Sequence, residues 1–285
     1  MNRKISGLLA LCLLLTGCTG LAASEPMPLA AGEPEMQAAV EIYQAPAYEI
    51  IPLTAGEQIR SEDQADKTLA VCNYQTVLLA LRNEDAVSPA DRETARRNIE
   101  AFNVKMEDLL AESREYGLSV GEDARTAYKE GFLREEYYDD MTASAAFVGE
   151  LVSVQVDRGG YTGGAHPNRY TSGLLFDLRT GQFIDPAQLA DDPAAFQSGA
   201  AELLLEKAEA HPERKAFWQD YPDIIAHWSE GTVLFDETGM RIVYSPYELG
   251  PYAMGDIEFR LNWEELAPVL GPGGMAWLGQ ETAAE

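Results

Sequence analysis

Apolar positions along the chain recur with two distinct periods, and the switches between them mark out the elements. Residues 40–52 and 68–81 are rich in β-branched and aromatic residues and predict two strands, with a break between them at Ala55-Gly56. A helix follows. Ser88 can cap it, Pro89 suits the first helical position, and Asp91 completes a Ser-x-x-acid box. Ala95, Ile99, Phe102, Met106 and Leu109/Leu110 then recur at spacings of three and four, a core-facing stripe that Gly117 is expected to end. Residues 141–148 and 150–157 predict strands, the second with Val152, Val154 and Val156 on one face. A Gly-dense connection spans 158–167, and a strand over 170–178 closes at the turn Leu178-Arg179-Thr180-Gly181.

Further on, Asp185-Pro186 opens a short helical turn, and Phe196, Ala200, Leu203 and Leu204 mark an amphipathic helix. A second helical stretch runs toward Trp228. Residues 232–235 and 240–244 form a hairpin across Asp236-Glu237-Thr238-Gly239. In the last strand, 256–261, Ile257, Phe259 and Leu261 alternate with charged residues. Gly-Pro-Gly-Gly after Leu270 opens an expected frayed tail, 271–285. Hairpin-grouped strands with helices between the groups point to an α+β fold rather than a doubly wound parallel sheet.

The first residues read as an address. Arg3 and Lys4 precede an uncharged, largely apolar run, 5–15, which at ~1.5 Å per residue covers about half of a bilayer's hydrocarbon core. This is a signal peptide pattern, 1–17. It ends in Leu15-Thr16-Gly17-Cys18, which resembles a bacterial lipobox and implies cleavage before Cys18 and its lipidation. Residues 18–39, broken by Pro26, Pro28 and Pro34, then form a flexible tether. Two or more acyl chains hold a protein stably on a membrane. Thr19 after the cysteine favours, by resemblance to lipoprotein sorting signals, the outer membrane facing the periplasm.

Composition narrows the partner. The 285 residues hold 21 Lys+Arg against 47 Asp+Glu, a net charge of -26, which loss of Arg3 and Lys4 would deepen to -28. Such a surface repels phosphate backbones and excludes nucleic acid, and it disfavours docking on anionic lipid through a basic face. Of the three cysteines, Cys12 leaves with the signal and Cys18 becomes a thioether. Cys72 remains, in an apolar strand pattern that predicts a buried, inert thiol.

Three separated motifs carry a resemblance. They are Tyr161-Thr162-Gly163-Gly164-Ala165-His166, then Phe176-Asp177-Leu178-Arg179-Thr180-Gly181, then the segment from Tyr244-Ser245-Pro246-Tyr247 to Tyr252-Ala253-Met254-Gly255. Together they resemble the RsiV-like extracytoplasmic domain, a domain of unknown function. That domain occurs in a lysozyme-sensing anti-sigma factor and beside the catalytic domain of some peptidoglycan deacetylases. The resemblance spans 141–266, and residues 40–117 are more loosely similar to the companion subdomain. It implies helices packed on an antiparallel sheet, in two associated subdomains, 40–140 and 141–270. It also implies lysozyme-type muramidases as one candidate partner, which the acidic charge fits as a cationic protein; a binding domain of the envelope could also take cell-wall glycan.

Two readings of the Gly loop stand at this level. Gly163 and Gly164 serve a hairpin turn pinned by His166, or the loop is a recognition surface on which Tyr161, His166 and Asn168 offer donors and a ring face. Tyr247 and Tyr252 divide likewise between turn aromatics and a lined groove. No Gly-x-Ser-x-Gly elbow, Walker loop or His-Glu-x-x-His is present. His166, His211 and His227 lack metal-ligand spacing, so no metal or other cofactor is expected. The alternatives to a binding domain are a hydrolase or deacetylase-like enzyme acting on peptidoglycan through His166 and Asp177, and a structural envelope lipoprotein.

Overall fold

The computed structural model describes residues 48–82 and 88–280. The expected signal peptide, the lipidation site Cys18, the tether, residues 40–47 of the first strand and residues 281–285 lie outside the described residues. Among the described residues no helix is long and apolar enough to cross a membrane.

A six-stranded sheet runs in chain order, β1 (Tyr48–Arg60), β2 (Thr68–Leu81), β3 (Tyr137–Val148), β4 (Leu151–Tyr161), β5 (Asn168–Asp177) and β6 (Gln182–Ile184). Strand β1 does not break at Ala55-Gly56. Gly56 stays in the ladder opposite Asn73, where a Cβ would stand 3.2 Å from the Cys72 carbonyl oxygen. The α+β class stands with one amendment to the antiparallel sheet: β2 and β3 are parallel over Ala70–Gln75 and Tyr137–Thr142. A parallel neighbour requires a crossover, and helix α1 (Pro89–Lys129) supplies it. The sheet is continuous across residues 140 and 141, where the sequence places the subdomain boundary.

Ser88 caps α1 as the sequence expects, accepting from the Asp91 N–H. Gly117 does not end the helix, which runs twelve residues further, to Lys129. Its missing side chain instead admits Tyr74, whose hydroxyl occupies the space a Cβ would take, and Gly121 four residues on lets Ile59 approach in the same way. Phe102, Met106, Val120 and Ala124 of α1 bury against Leu69, Cys72, Val154 and Phe176 on one face of the sheet. Beyond Gln75, no strand among the described residues pairs with β2 on the β3 side. There the Asn103 side chain takes the place of a strand, accepting from the Leu79 N–H and donating to the Leu79 carbonyl.

The opposite face carries a second core. A three-stranded antiparallel sheet, β7 (Thr232–Asp236), β8 (Gly239–Tyr244) and β9 (Ile257–Asn262), packs there with α2 (Pro193–Glu209), α3 (Tyr221–Ala226) and α4 (Trp263–Trp277) around Trp228, Phe196 and Leu204. The sheets meet where Gly173 of β5 lies under the Val233 carbonyl, leaving no room for a Cβ. Ser153 and Ser245 hydroxyls accept from the Phe235 and Thr171 N–H groups, so the buried backbone edges stay paired. The expected frayed tail is corrected over 271–280. Helix α4 kinks at Gly271 (φ 76) and continues, with Met275 and Leu278 buried and the Asp191 carboxylate accepting from the Gly273 N–H.

Candidate functional site: an aromatic ledge

The β4–β5 loop turns back at Gly163 (φ 96) and Gly164 (φ 104), conformations that side chains disfavour. The Tyr161 hydroxyl donates to the Gly164 carbonyl at 3.2 Å, closing the turn and setting His166 beyond it. The β8–β9 connection comes to meet that loop. His166 stacks on Tyr252 with ring centroids 3.8 Å apart, and Tyr247 lies 6.2 Å from His166 and 5.7 Å from Tyr252. Tyr161 packs against Tyr137 and Tyr138 at the start of β3. Four of the residues singled out in the sequence thus lie along one ledge, drawn from segments about eighty residues apart.

Hydrogen bonding fixes the His166 ring. Nδ1 lies 2.9 Å from the Pro167 carbonyl, which only accepts, so Nδ1 carries the proton. In the neutral ring Nε2 then accepts from the Tyr247 hydroxyl at 3.2 Å. Both nitrogens are occupied. Asp177, the carboxylate considered as a catalytic partner, sits at the other end of β5, nine positions from Asn168, or about 30 Å at ~3.3 Å per residue. It is buried, holding the Thr180 hydroxyl and Arg179. No His166–Asp177 pair exists, so acid/base chemistry through that pair is corrected.

Backbone strain marks the ledge as well. Tyr247 is the positive-φ residue other than glycine among the described residues, at φ 75, and is 56% exposed. An exposed aromatic in the left-handed region costs on the order of 1–2 kcal/mol and survives only where its surroundings hold it. The Tyr247 N–H donates to Gly250, the Trp218 indole donates to the Tyr247 carbonyl, and the Glu248 carboxylate accepts from the Ser245 N–H. Burial, against that N–H bond, holds the Glu248 carboxyl above its usual range, and the nearby Asp256 adds to the rise. Asp256 in turn pairs with Arg169 at 2.9 Å, tying β5 to this connection.

A groove of about 600 Å³ adjoins the ledge, walled by Tyr137, Tyr138, Tyr161 and His166 with Glu135 and Glu136 at its rim. Burial and the neighbouring Asp140 raise the Tyr138 phenol above its ordinary value. The wall is aromatic and its rim acidic. Asn168 does not join it: as the first residue of β5 it lines a separate cavity with Arg158 and Tyr170. The sequence pattern opens that strand at Met141 and so does not reach Tyr137, Tyr138 and the two glutamates; the adjacent doublets Glu135-Glu136 and Tyr137-Tyr138 are the available signal.

Residues 196–264, from α2 to the start of α4, match the family described as a protein of unknown function (DUF3298). The chain is similar in fold to a member of that family from Bacteroides fragilis at 18% identity and a TM-score of 0.54, covering 82% of this chain and 97% of that one. A DUF3298 family protein from Pseudomonas aeruginosa aligns at 18% identity and a TM-score of 0.46, over 79% and 95% of the two chains. No curated protein matches.

Proposed function

We propose that this chain is an envelope-tethered binding domain, anchored through Cys18 at the outer membrane, whose aromatic ledge captures a basic protein. The observation that carries the reading is the strained, exposed Tyr247 set beside Tyr252 and His166 above an acidic groove. Exposed tyrosines give rigid contact area at low entropic cost, and buried aromatic anchors dominate interface energies. The net charge, -26 for the full sequence and -28 once Arg3 and Lys4 are lost, supplies the steering: it draws in cations over roughly a Debye length, about 8 Å at physiological salt. Lysozyme-type muramidases are basic partners of the class that the sequence resemblance implies.

The test is capture of lysozyme by the purified soluble domain at about 0.15 M salt, near the physiological value. Retention is expected, with at least about tenfold weaker binding in the Tyr247→Ala, Tyr252→Ala double variant, as for the loss of interface anchors. If lysozyme is not retained, or the double variant binds as well as the parent, the reading fails.

A further inference from the structure

Where β3, β4 and β5 meet α1 lies a second site. Its floor is the backbone of Gly159 and Gly160 in β4, and its walls are Asp139, Arg158, Asn168, Tyr116 and Tyr170, enclosing about 310 Å³. That volume is at the small end of ligand cavities, roughly 300–1,000 Å³. Two charges meet there. Asp139 is 8% exposed, and its Oδ2 accepts from the Tyr74 hydroxyl at 2.9 Å, while Oδ1 has no hydrogen-bond partner among the described residues. Arg158 donates from Nη1 to the Ser113 hydroxyl at 2.8 Å, and its Nε and Nη2 make no hydrogen bond among the described residues. The Ser113 hydroxyl donates to the Leu109 carbonyl, holding the arginine from below.

The donors and acceptors left over specify a ligand. An acceptor on Asp139 and donors on Arg158 sit with Asn168, which offers both. A carboxylate or phosphate would meet Asp139 and the acidic surface, and an ammonium would meet Arg158. Hydroxyl groups, each both donor and acceptor and carrying no charge, satisfy the two together. Tyr116 and Tyr170, 56% and 51% exposed, supply ring faces at the rim for an apolar C–H surface. A Cβ at 160 would lie 3.3 Å from the Tyr138 carbonyl and 3.5 Å from Asp139 Oδ1, so a larger side chain there would take up space beside the free acceptor. Burial raises the Asp139 carboxyl, with the Tyr74 hydroxyl and Arg158 opposing it.

We infer that this cavity binds a neutral pyranose ring of a glycan, with adjacent hydroxyls bridging Asp139 and Arg158 and the ring face against Tyr170. The site borders the ledge groove through Tyr138, which lines both, but its polar groups Asp139, Arg158 and Asn168 are its own, and it stands whether or not the ledge captures a protein.

Titration of the isotope-labelled protein with chitotetraose and cellotetraose, followed by amide chemical shifts, tests it; sodium glucuronate and inorganic phosphate are the anionic probes. Saturable shifts at Gly159, Gly160 and Asn168 with a neutral oligosaccharide are expected. Binding should weaken by about tenfold in Tyr170→Ala and in Asn168→Ala, surface changes that leave the fold intact, and more in Gly160→Val. Tyr247→Ala should leave it unchanged. Absence of saturable shifts with both neutral sugars, response to the anions alone, or loss of sugar binding in Tyr247→Ala would each overturn the inference. Lysozyme capture is a separate readout, so failure of one site is distinguishable from failure of the other.

Discussion

Replacing Gly117 by alanine inverts the usual rule for helices. On a solvated helix the change stabilises by about 1 kcal/mol. Here the new Cβ falls on the Tyr74 hydroxyl and lies 3.1 Å from both Tyr74 Cζ and Cys72 Sγ. Tyr74 is 3% exposed, so the ring has no open route away from the contact. Overpacking of this kind costs about 1–3 kcal/mol. Displacing the hydroxyl also breaks its bond to Asp139, and a hydrogen bond to a charged group contributes about 1.5–3 kcal/mol. Set against the propensity gain, Gly117→Ala should destabilise by about 2–4 kcal/mol. Urea denaturation measures it, with the midpoint expected to fall by about 0.7–2 M at m near 2–3 kcal/mol/M. Tyr74→Phe removes the clashing oxygen, so its cost should shrink in the Gly117→Ala background, with a coupling of about 1–2 kcal/mol. Full stability in Gly117→Ala, or additive costs in the double variant, would refute the account of why α1 passes Gly117 unbroken.

Three further outcomes follow from contacts described above. Asp236 accepts from the Thr238 hydroxyl and N–H and from Arg260; although burial raises its carboxyl, these bonds outweigh it and the net shift is downward. Its stabilising effect is therefore present above the ordinary carboxylate value of about 4 and lost as pH falls through the lower folded value, so Asp236→Asn should flatten the acid limb of the urea midpoint, and an unchanged limb would place the dependence elsewhere. Asp191→Ala should cost about 1 kcal/mol and speed amide exchange at Gly273 and beyond, the measure of whether α4 past its kink is held by that carboxylate. Tyr247→Gly relieves the positive φ and should be no less stable than the parent while losing lysozyme capture; a stability loss beyond about 1 kcal/mol would make Tyr247 a structural residue.

What was readable in the sequence was what neighbouring residues decide among themselves. The stripe from Ala95 to Leu110, the cap at Ser88, the β7–β8 hairpin and the alternation of Ile257, Phe259 and Leu261 each express a local period, and the structure keeps them. The misreadings share another cause. Gly56, Gly117 and Gly271 look like local punctuation, yet the first two allow another element to approach closely, and the third bends a helix that a carboxylate from another segment secures. The ledge was half legible: Tyr161, His166, Tyr247 and Tyr252 stand out by type, but Asn168 lines the neighbouring cavity instead. Nothing local announces that Arg158, read as part of a loop, lies in a strand over α1 beside Asp139.

The parallel seam between β2 and β3 governs how the chain reaches this state. The β1–β2 hairpin and the β3–β4–β5 meander are local pairings that form without long loops, whereas Asn73 meets Asp140 across 67 residues. Closing that separation is an entropic barrier that grows slowly with length and is met before the long-range contacts repay it. Helix α1, about 60 Å long at ~1.5 Å per residue, must dock for the seam to close. The rate of folding should therefore respond to substitutions in α1 and along the seam, while those in β7–β9 act chiefly on the rate of unfolding. The second of these rates sets how long each molecule stays folded once made.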